Sequence, residues 1–251
     1  MHYDVISSGS KGNATLVIHQ DTVILIDFGI TLERLNKELD KLSLSLKDID
    51  ALFITHEHGD HLRGIKAISP KKMYALEGTI PGNLSNVLEV YESVNIKGLK
   101  ITPFPISHDA KNPCGYVVES EVDKLTYMTD TGIFLDECLC VASNPDYLII
   151  ESNHDVAMEM KTHRSFELKQ RIMSNYGHLC NEDSAFAALE IIGNRTKEIV
   201  LAHLSEEANT PEVALAAYQK VFAYKGINIS KYIVKVASQN EPTYGGNMNE
   251  N

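Results

Sequence analysis

Short apolar runs separated by polar loops recur along the chain and predict a protein rich in β-strands. The first three runs cover residues 3–6, 14–18 and 22–26, and small residues between the first two indicate a loop. Later runs predict strands over residues 51–55, 96–102, 116–119, 124–129, 147–150, 198–202 and 232–236.

Three helices are predicted from apolar spacing and from the residues at their ends. Thr31 is the expected N-cap of the first, whose leucines at 32, 35, 39 and 42 follow the helical period. The second is expected to begin at an Asn181 cap and to stop at Gly193. Thr210, followed by proline at the first helical position, predicts a third helix through about residue 222.

Composition indicates one globular domain over residues 1–238 and a loose polar tail over 239–251. The chain has 251 residues, of which 43% are hydrophobic and 23% charged. It has no 18-residue apolar run and no N-terminal export signal, so we expect a cytoplasmic protein without membrane association. The four cysteines form no C-x-x-C pair, which favours a reducing compartment; they are Cys114, Cys138, Cys140 and Cys180.

The net charge of −11 argues against a surface built for bulk attraction to nucleic acid. It does not exclude a nuclease, because bound divalent metals can invert the local field of an acidic site. Charge alone therefore decides little about function.

Potential metal ligands are concentrated in the segment His56-Glu57-His58-Gly59-Asp60-His61, directly after the predicted strand 51–55. His56 and His58 can turn toward one cation on extended backbone, while Asp60 and His61 reach toward a second. Imidazole combined with carboxylate suits zinc, manganese or iron better than calcium or magnesium. The segment therefore predicts a site for two adjacent metals.

Further polar side chains stand where apolar strands end. They are Asp27, His56, Asp130, Glu151 and His203. Loops at one edge of a rigid sheet are where proteins place catalytic groups, so these distant residues are expected to converge.

The ordered set Asp27, His56-x-His58-x-Asp60-His61, His108, Asp130 and His203 resembles the metallo-β-lactamase superfamily. Segments 8–13, 151–155 and 177–179 are similar to its YycJ/WalJ-like group. The resemblance implies an α+β fold, a four-layer αβ/βα sandwich, with a dinuclear site at one edge. It also implies an exonuclease that degrades DNA from 5′ ends.

Residue roles follow from the resemblance position by position. One metal would be held by His56, His58 and His108, and the other by Asp60, His61 and His203. Asp130 would bridge the two ions, and Asp27 would orient the ligand loop through hydrogen bonds. His178 resembles a histidine beside the scissile phosphate, whereas Cys180 departs from an expected serine.

Two divalent ions, zinc or manganese with iron also open, would supply the chemistry. Metals about 3.5 to 4 Å apart can share a hydroxide and stabilise the attacking and leaving oxygens of a phosphodiester. Imidazole titrates near physiological pH, so His178 is the expected general acid, with Asp60 and Asp130 as the other catalytic groups.

Substrate contacts are expected from a smaller set, in which structural roles are equally open. His154 is expected to line the pocket, to hydrogen-bond a ligand or to lie below the surface. The segment 8–13 offers donors to a terminal phosphate, although it also suits a plain strand connection; these donors are Ser8, Ser10, Lys11 and Asn13.

Several other functions fit the sequence less well. A true β-lactamase would be exported and would have Cys at position 130, and a diiron flavoprotein-like site would have Glu at position 58. RNA-processing relatives with a large inserted cap domain would need more residues between 130 and 203, and a transfer-RNA endonuclease would need a long arm. A non-enzymatic binding module would lack ligands.

Two hydrolase alternatives stay open. A thioester hydrolase of the glyoxalase II type has the same ligand set but would need a C-terminal helical substrate domain. A cyclic phosphodiesterase acting on small substrates is the runner-up. We therefore expect a metal-dependent phosphodiesterase whose substrate is DNA or another phosphodiester.

Overall fold

Two seven-stranded β-sheets form the centre of the computed structural model, which describes residues 1–80 and 86–247. The first sheet has the strand order β14-β1-β2-β3-β4-β5-β6. Its strands are β1 His2–Ser7, β2 Ala14–His19, β3 Thr22–Ile26, β4 Ala51–Phe53, β5 Met73–Leu76, β6 Asn86–Leu88 and β14 Thr243–Gly246.

The second sheet has the order β13-β12-β11-β10-β9-β8-β7. Its strands are β7 Val94–Ile96, β8 Leu99–Pro105, β9 Cys114–Glu119, β10 Lys124–Met128, β11 Tyr147–Glu151, β12 Glu198–Ala202 and β13 Ile233–Val236. In each sheet antiparallel pairs lie toward one side and parallel pairs toward the other, so both sheets are mixed.

Seven α-helices accompany the sheets within the described ranges. They are α1 Leu32–Lys41, α2 Gly59–Leu62, α3 Leu139–Ala142, α4 Val156–Lys161, α5 Phe166–Ile172, α6 Asn181–Ile191 and α7 Pro211–Tyr224. Thr31 caps α1 through its hydroxyl and Thr210 caps α7, as predicted. None of these helices has the length and apolar character needed to cross a bilayer.

Three apolar clusters hold the layers together. The central cluster joins the facing sides of the two sheets through residues such as Tyr3 and Phe53 from one and Tyr116 and Ile149 from the other. One outer cluster packs α1 on the first sheet, and the other packs α6 and α7 on the second. Burial on both faces explains why the strands are almost continuously apolar. The result is the α+β four-layer sandwich that the resemblance implies.

The single strand expected over residues 96–102 is wrong, because the segment is a hairpin. Strands β7 and β8 pair with Ile96 opposite Leu99, and the two residues between them, Lys97 and Gly98, have φ values of 47° and 93°. Two consecutive positive φ angles are typical of the tight turn that matches strand twist. Gly98 is the sequence signal for this turn.

The segment expected to be a loose tail is partly ordered. Residues 243–246 form β14, which extends the first sheet by pairing with β1. Gln239 donates its side-chain amide to the Ser7 hydroxyl at 2.7 Å. The polar composition was misleading because an edge strand needs only one apolar face; residues 248–251 lie outside the described ranges.

The cap of α6 lies one residue earlier than expected. Cys180 is the N-cap, and its sulfur accepts the backbone N–H of Asp183 at 3.5 Å. Asn181 is the first helical residue, and its side chain accepts from the Ser152 hydroxyl at 2.7 Å. The thiol thus occupies the place of the expected serine hydroxyl, although sulfur is the weaker acceptor.

Candidate metal centre

The C-terminal ends of parallel strands place the predicted ligands at one edge of the molecule. β3 and β4 are parallel neighbours, and so are β10, β11 and β12. Asp27 directly follows β3, Asp130 lies just beyond β10, and His203 directly follows β12. Sites outside the carboxyl ends of parallel strands are a general property of such sheets.

These three residues share an uncommon backbone conformation. The φ values are 59° at Asp27, 57° at Asp130 and 55° at His203. Residues other than glycine rarely adopt this left-handed region, and holding one there costs roughly 1 kcal/mol or more. At each position the extended path of the strand is broken and the side chain enters the site.

Three imidazoles form the first group of potential ligands. One nitrogen from each of His56, His58 and His108 lies within 4.8 Å of the others. His58 Nδ1 is 3.3 Å from His108 Nε2, and the His56 and His58 rings meet edge-on with centroids 4.6 Å apart. The spacing of two residues on extended backbone brings His56 and His58 together, as the sequence predicts.

The second group consists of Asp60, His61 and His203, whose ligand atoms also lie within 4.8 Å of one another. Asp130 adjoins it: its Oδ2 is 3.3 Å from His61 Nε2, and its Oδ1 is 3.4 Å from His203 Nε2. Asp130 also lies within ligand distance of His56 and His61 together. Its carboxylate is therefore placed between the two groups, as a bridging ligand must be.

The donor atoms of this cluster fit a pair of cations. His56 Nε2, His203 Nε2 and Asp130 Oδ2 are buried and make no hydrogen bond to any residue within 1–80 and 86–247. Buried polar atoms without partners are rare, and each one calls for an explanation. Imidazole and carboxylate together are the ligand set of zinc, manganese and iron centres.

Charge within the cluster favours metal binding coupled to proton release. Burial opposes ionisation of Asp130, but His203 and His61 outweigh it and hold the pKa of this carboxyl well below its usual range. Burial is likewise outweighed at His203, where Asp130 and Glu151 raise the pKa to about 9. A cation that binds His203 must therefore displace a proton.

Asp27 makes the contacts that its predicted orienting role requires. Its Oδ2 accepts from His61 Nδ1 at 2.8 Å and from the Thr55 hydroxyl at 2.9 Å, and its Oδ1 accepts the Thr55 backbone N–H at 2.9 Å. These bonds fix His61 Nδ1 as the protonated nitrogen, which leaves Nε2 for a metal. The sequence analysis missed Thr55, whose hydroxyl also lies 3.0 Å from His56 Nδ1.

Comparison with known proteins places the chain in a family. Residues 22–204 match the family model described as "Beta-lactamase superfamily domain". The exodeoxyribonuclease YycJ of Bacillus anthracis is 32% identical over 244 residues, with 92% of each chain covered. The exodeoxyribonuclease WalJ of Streptococcus pneumoniae serotype 2 is 34% identical over 227 residues, with 84% of each chain covered.

The chain belongs to the metallo-β-lactamase superfamily and to its YycJ/WalJ-like group. The metallo-β-lactamase fold protein YhfI from Bacillus subtilis superposes with a TM-score of 0.70 at 16% identity, covering 97% of this chain and 99% of that one. This likeness concerns the fold. Membership makes the chain a metal-dependent hydrolase.

In this metallo-β-lactamase superfamily member, Glu151 has a role that the sequence does not predict. It had been noted only as a polar residue at a strand end. The structure buries it completely, and its Oε1 accepts from both His203 Nδ1 at 2.8 Å and His178 Nδ1 at 2.9 Å. Its Oε2 accepts the backbone N–H groups of Thr131 at 2.9 Å and Leu179 at 3.2 Å. One carboxylate thus holds a predicted ligand, the predicted acid and two loops.

Replacing Glu151 by glutamine is expected to lower the free energy of unfolding by about 3 kcal/mol, because breaking a buried ion pair leaves the partner uncompensated. Each Glu151 oxygen accepts two N–H groups, so in either orientation of the glutamine amide its NH₂ group would face two N–H donors and lose both hydrogen bonds. Urea unfolding of metal-free protein measures the loss. The exposed Glu167→Gln is the control and should change stability little.

The free energy of unfolding of wild type and that of Glu151→Gln should depend differently on pH. Burial alone would raise the pKa of Glu151, but His178 and His203 outweigh it and lower the pKa to about 2 from the ordinary 4.5. A lowered folded-state pKa stabilises fully above the unfolded value and is lost as pH falls. The difference between wild type and Glu151→Gln should therefore be largest between pH 4.5 and 6.5 and shrink toward pH 2. It should also shrink as pH rises from 6.5 toward 9, because Glu151 helps to raise the pKa of His203 to about 9 and that stabilisation is lost as His203 deprotonates. A constant difference throughout would contradict this ionisation.

His178 lies beside two of the predicted metal ligands, His108 and His203. Its ring centroid is 5.2 Å from that of His108 and 5.3 Å from that of His203. Nδ1 donates to Glu151, so the Nε2 side is the one left for a substrate. His178 is partly exposed, with 19% of its side chain accessible.

His154 is buried, which favours the last of the three positions considered for it. It is 1% exposed and its backbone carbonyl accepts the Asn181 N–H at 2.8 Å. Burial lowers its pKa to about 4, so the ring is neutral near pH 7. Its Nδ1 makes no hydrogen bond to the part of the chain that the structure describes.

Two of the four donors predicted in the segment 8–13 support the metal ligands. The Ser8 hydroxyl accepts the backbone N–H of His203 at 2.8 Å. The Asn13 amide nitrogen lies 3.1 Å from His61 Nε2 and donates to Asp60 Oδ2 at 3.3 Å. These contacts position the ligands.

The other two donors are exposed and differ in their surroundings. Lys11 is paired with Glu206 at 2.5 Å. Ser10 lines a cavity of about 200 Å³ that opens beside the predicted metal ligands. The remaining residues of its wall are Asn153, Arg164, Leu168, Arg171, Ile172, His178, His203, Leu204 and Ser205.

Proposed function

We propose that the chain is a dinuclear-metal phosphodiesterase that removes nucleotides from the 5′ ends of DNA. The observation that carries this proposal is the pair of ligand groups around Asp130 with His178 and an arginine-lined cavity directly beside them. The relatives named exodeoxyribonucleases support the choice of DNA.

Two divalent ions, zinc or manganese with iron also open, would be held by the seven predicted ligands. His56, His58 and His108 would bind one, and Asp60, His61 and His203 the other, with Asp130 shared. Bound there, such ions lower the pKa of water and stabilise charge that develops on phosphodiester oxygens. The buried donor atoms without partners support this assignment.

His178 would act on the leaving group. Its Nδ1–H is held by Glu151 at 2.9 Å, which orients the ring and leaves Nε2 to give a proton to the departing oxygen. The same carboxylate holds His203, so the acid and one metal ligand keep a fixed relation.

The cavity wall suits a phosphate-bearing substrate. Arg164 and Arg171 line this wall, where ion pairs with Glu159 and Asp109 hold their guanidinium groups. Hydroxyl and amide donors of Ser10, Asn153 and Ser205 accompany them. Guanidinium groups with neutral donors are well suited to phosphate oxygens.

The test is a substrate panel with manganese or zinc. The panel contains duplex DNA with 5′-phosphate, RNA, cyclic phosphodiesters and S-lactoylglutathione. DNA labelled at its 3′ end should shorten stepwise while the label stays on the strand. Thioester turnover without nuclease activity would overturn the proposal in favour of a glyoxalase II type enzyme, and exclusive turnover of cyclic substrates would favour the small-substrate phosphodiesterase.

A cytoplasmic location stays a prediction. All four cysteines are free thiols, which suits a reducing compartment. Fluorescence microscopy of cells that express the tagged protein would test this prediction.

A further inference from the structure

A large aromatic side chain is exposed on the loop that leads into His178. Tyr176 is 65% exposed. It lies two residues before His178. No role in the core explains it, because the ring is mostly in solvent.

The loop that presents Tyr176 is firmly anchored to α5. The backbone N–H of His178 donates to the Ile172 carbonyl at 2.8 Å, and that of Gly177 donates to the Ser174 carbonyl at 2.9 Å. A Cβ atom at Gly177 would lie 2.2 Å from the carbonyl oxygens of Arg171 and Ile172, so only glycine permits this approach. These contacts therefore hold the backbone of the loop rigidly, while the Tyr176 ring is exposed.

The same loop contacts the metal-ligand region directly. The Tyr176 carbonyl accepts the Asp109 backbone N–H at 3.1 Å. The Gly177 carbonyl lies 3.2 Å from Nδ1 of His108, a predicted metal ligand. Tyr176 is thus held within one or two residues of both His108 and His178.

Two arginines line the cavity beside His178, two residues along the chain from Tyr176. Arg171, in the last turn of α5, lines the 200 Å³ cavity with His178 and forms an ion pair with Asp109. Arg164 lines the same cavity and is paired with the buried Glu159 at 2.6 Å. Exposed aromatic rings together with arginines are the side chains by which proteins bind single nucleic-acid strands, through base stacking and phosphate contacts.

We propose that Tyr176 is a stacking platform for a base of the DNA strand whose phosphodiester lies at His178, with Arg171 and Arg164 contacting its phosphates. This inference rests on the proposed nuclease function and specifies how the substrate strand is held. Any base can stack on an aromatic ring, so this contact would bind the strand without sequence preference.

Binding can be measured separately from turnover. Oligonucleotides carrying 2-aminopurine at one of the first three positions from the 5′ end are mixed with metal-loaded protein in a stopped-flow instrument, and the fluorescence is read before cleavage. Stacking on Tyr176 should quench one position strongly. Tyr176→Ala should lose this quenching and weaken binding about tenfold, within the range typical of base–aromatic stacking, whereas Tyr176→Phe should retain both.

A cycle of protein and base deletions tests the contact itself. Removing the quenched base, by an abasic residue, should raise the KM of wild type about tenfold, as Tyr176→Ala does with the intact base. The two changes together should raise it no further, because both remove the same interaction. Tyr224→Ala is the matched control, because Tyr224 is a tyrosine that is 78% exposed. It is the last residue of α7, about 20 Å along the helix from the N-cap Thr210.

The outcomes separate this inference from the function on which it rests. Additive effects of the two deletions, with nuclease activity present, would overturn the stacking contact alone. Stronger quenching and binding with RNA than with DNA would overturn the choice of strand. Absence of hydrolysis of every nucleic acid by the metal-loaded wild type would overturn the proposed function, while the fluorescence still decides whether Tyr176 stacks on a base.

Discussion

Asp130→Ala is expected to lose both metal ions and essentially all hydrolytic activity. The carboxylate lies between the two ligand groups, 3.3 Å from His61 Nε2 and 3.4 Å from His203 Nε2. Removing it takes one ligand from each predicted metal. It also removes a negative charge that lies close to four imidazoles, those of His56, His61, His178 and His203. Loss of an orienting residue alone typically weakens metal affinity roughly 10- to 100-fold, and a shared ligand should cost more.

Metal content by elemental analysis after gel filtration measures this loss, alongside turnover of a small phosphodiester. Asp136→Ala is the control, because Asp136 is an exposed carboxylate six residues further along. Circular dichroism shows whether the variant still folds. A folded Asp130→Ala protein that keeps two ions per chain would contradict the bridging assignment.

His178→Ala should keep its metal ions but lose turnover by about 10²- to 10⁴-fold, the usual contribution of a positioned acid or base. His178 belongs to neither predicted ligand triad, and it is held by Glu151 rather than by the ligands themselves. Its removal therefore leaves all seven predicted ligands in place. The loss should fall on kcat, since the proton is needed as the leaving oxygen departs.

Substrates with different leaving groups sharpen this test. A diester whose leaving group is a good nitrophenolate needs no proton, so His178→Ala should affect it far less than an oligonucleotide. His163→Ala, at an exposed histidine of the α4–α5 connection, should match wild type on both. Equal loss of metal in His178→Ala and Asp130→Ala would remove His178 from the chemistry and make it a ligand.

The ligand set was predictable because its signals are local. His56, His58, Asp60 and His61 follow one strand at spacings that suit two cations, and Asp130 and His203 each stand at a strand end. Strand ends are readable from apolar periodicity, and parallel neighbours bring them to one edge. The structure places all of these side chains together.

Other parts of the site depend on contacts that leave no mark in the sequence. Glu151 acts through two histidines that are 27 and 52 residues away, and nothing local distinguishes it from any carboxylate after a strand. Thr55 was read as the end of a strand, yet it joins Asp27 to the ligand loop. Tyr176 is informative only once its exposure is known.

The fold shows the same limit. Strands β5 and β6 and helices α2 to α5 were not predicted, because they have only three to seven residues each and little periodicity. β14 was missed since its pairing partner is β1, at the other end of the chain. Long periodic elements such as α1 and α7 were predicted nearly to their ends.

The left-handed backbone at Asp27, Asp130 and His203 limits how these positions can vary. Glycine would relieve the conformational cost but supply no donor atom, and alanine would keep the cost without a donor. Asparagine tolerates this geometry yet lacks the charge. Each single substitution at these positions therefore gives up the donor atom, the charge or the ease of the backbone conformation.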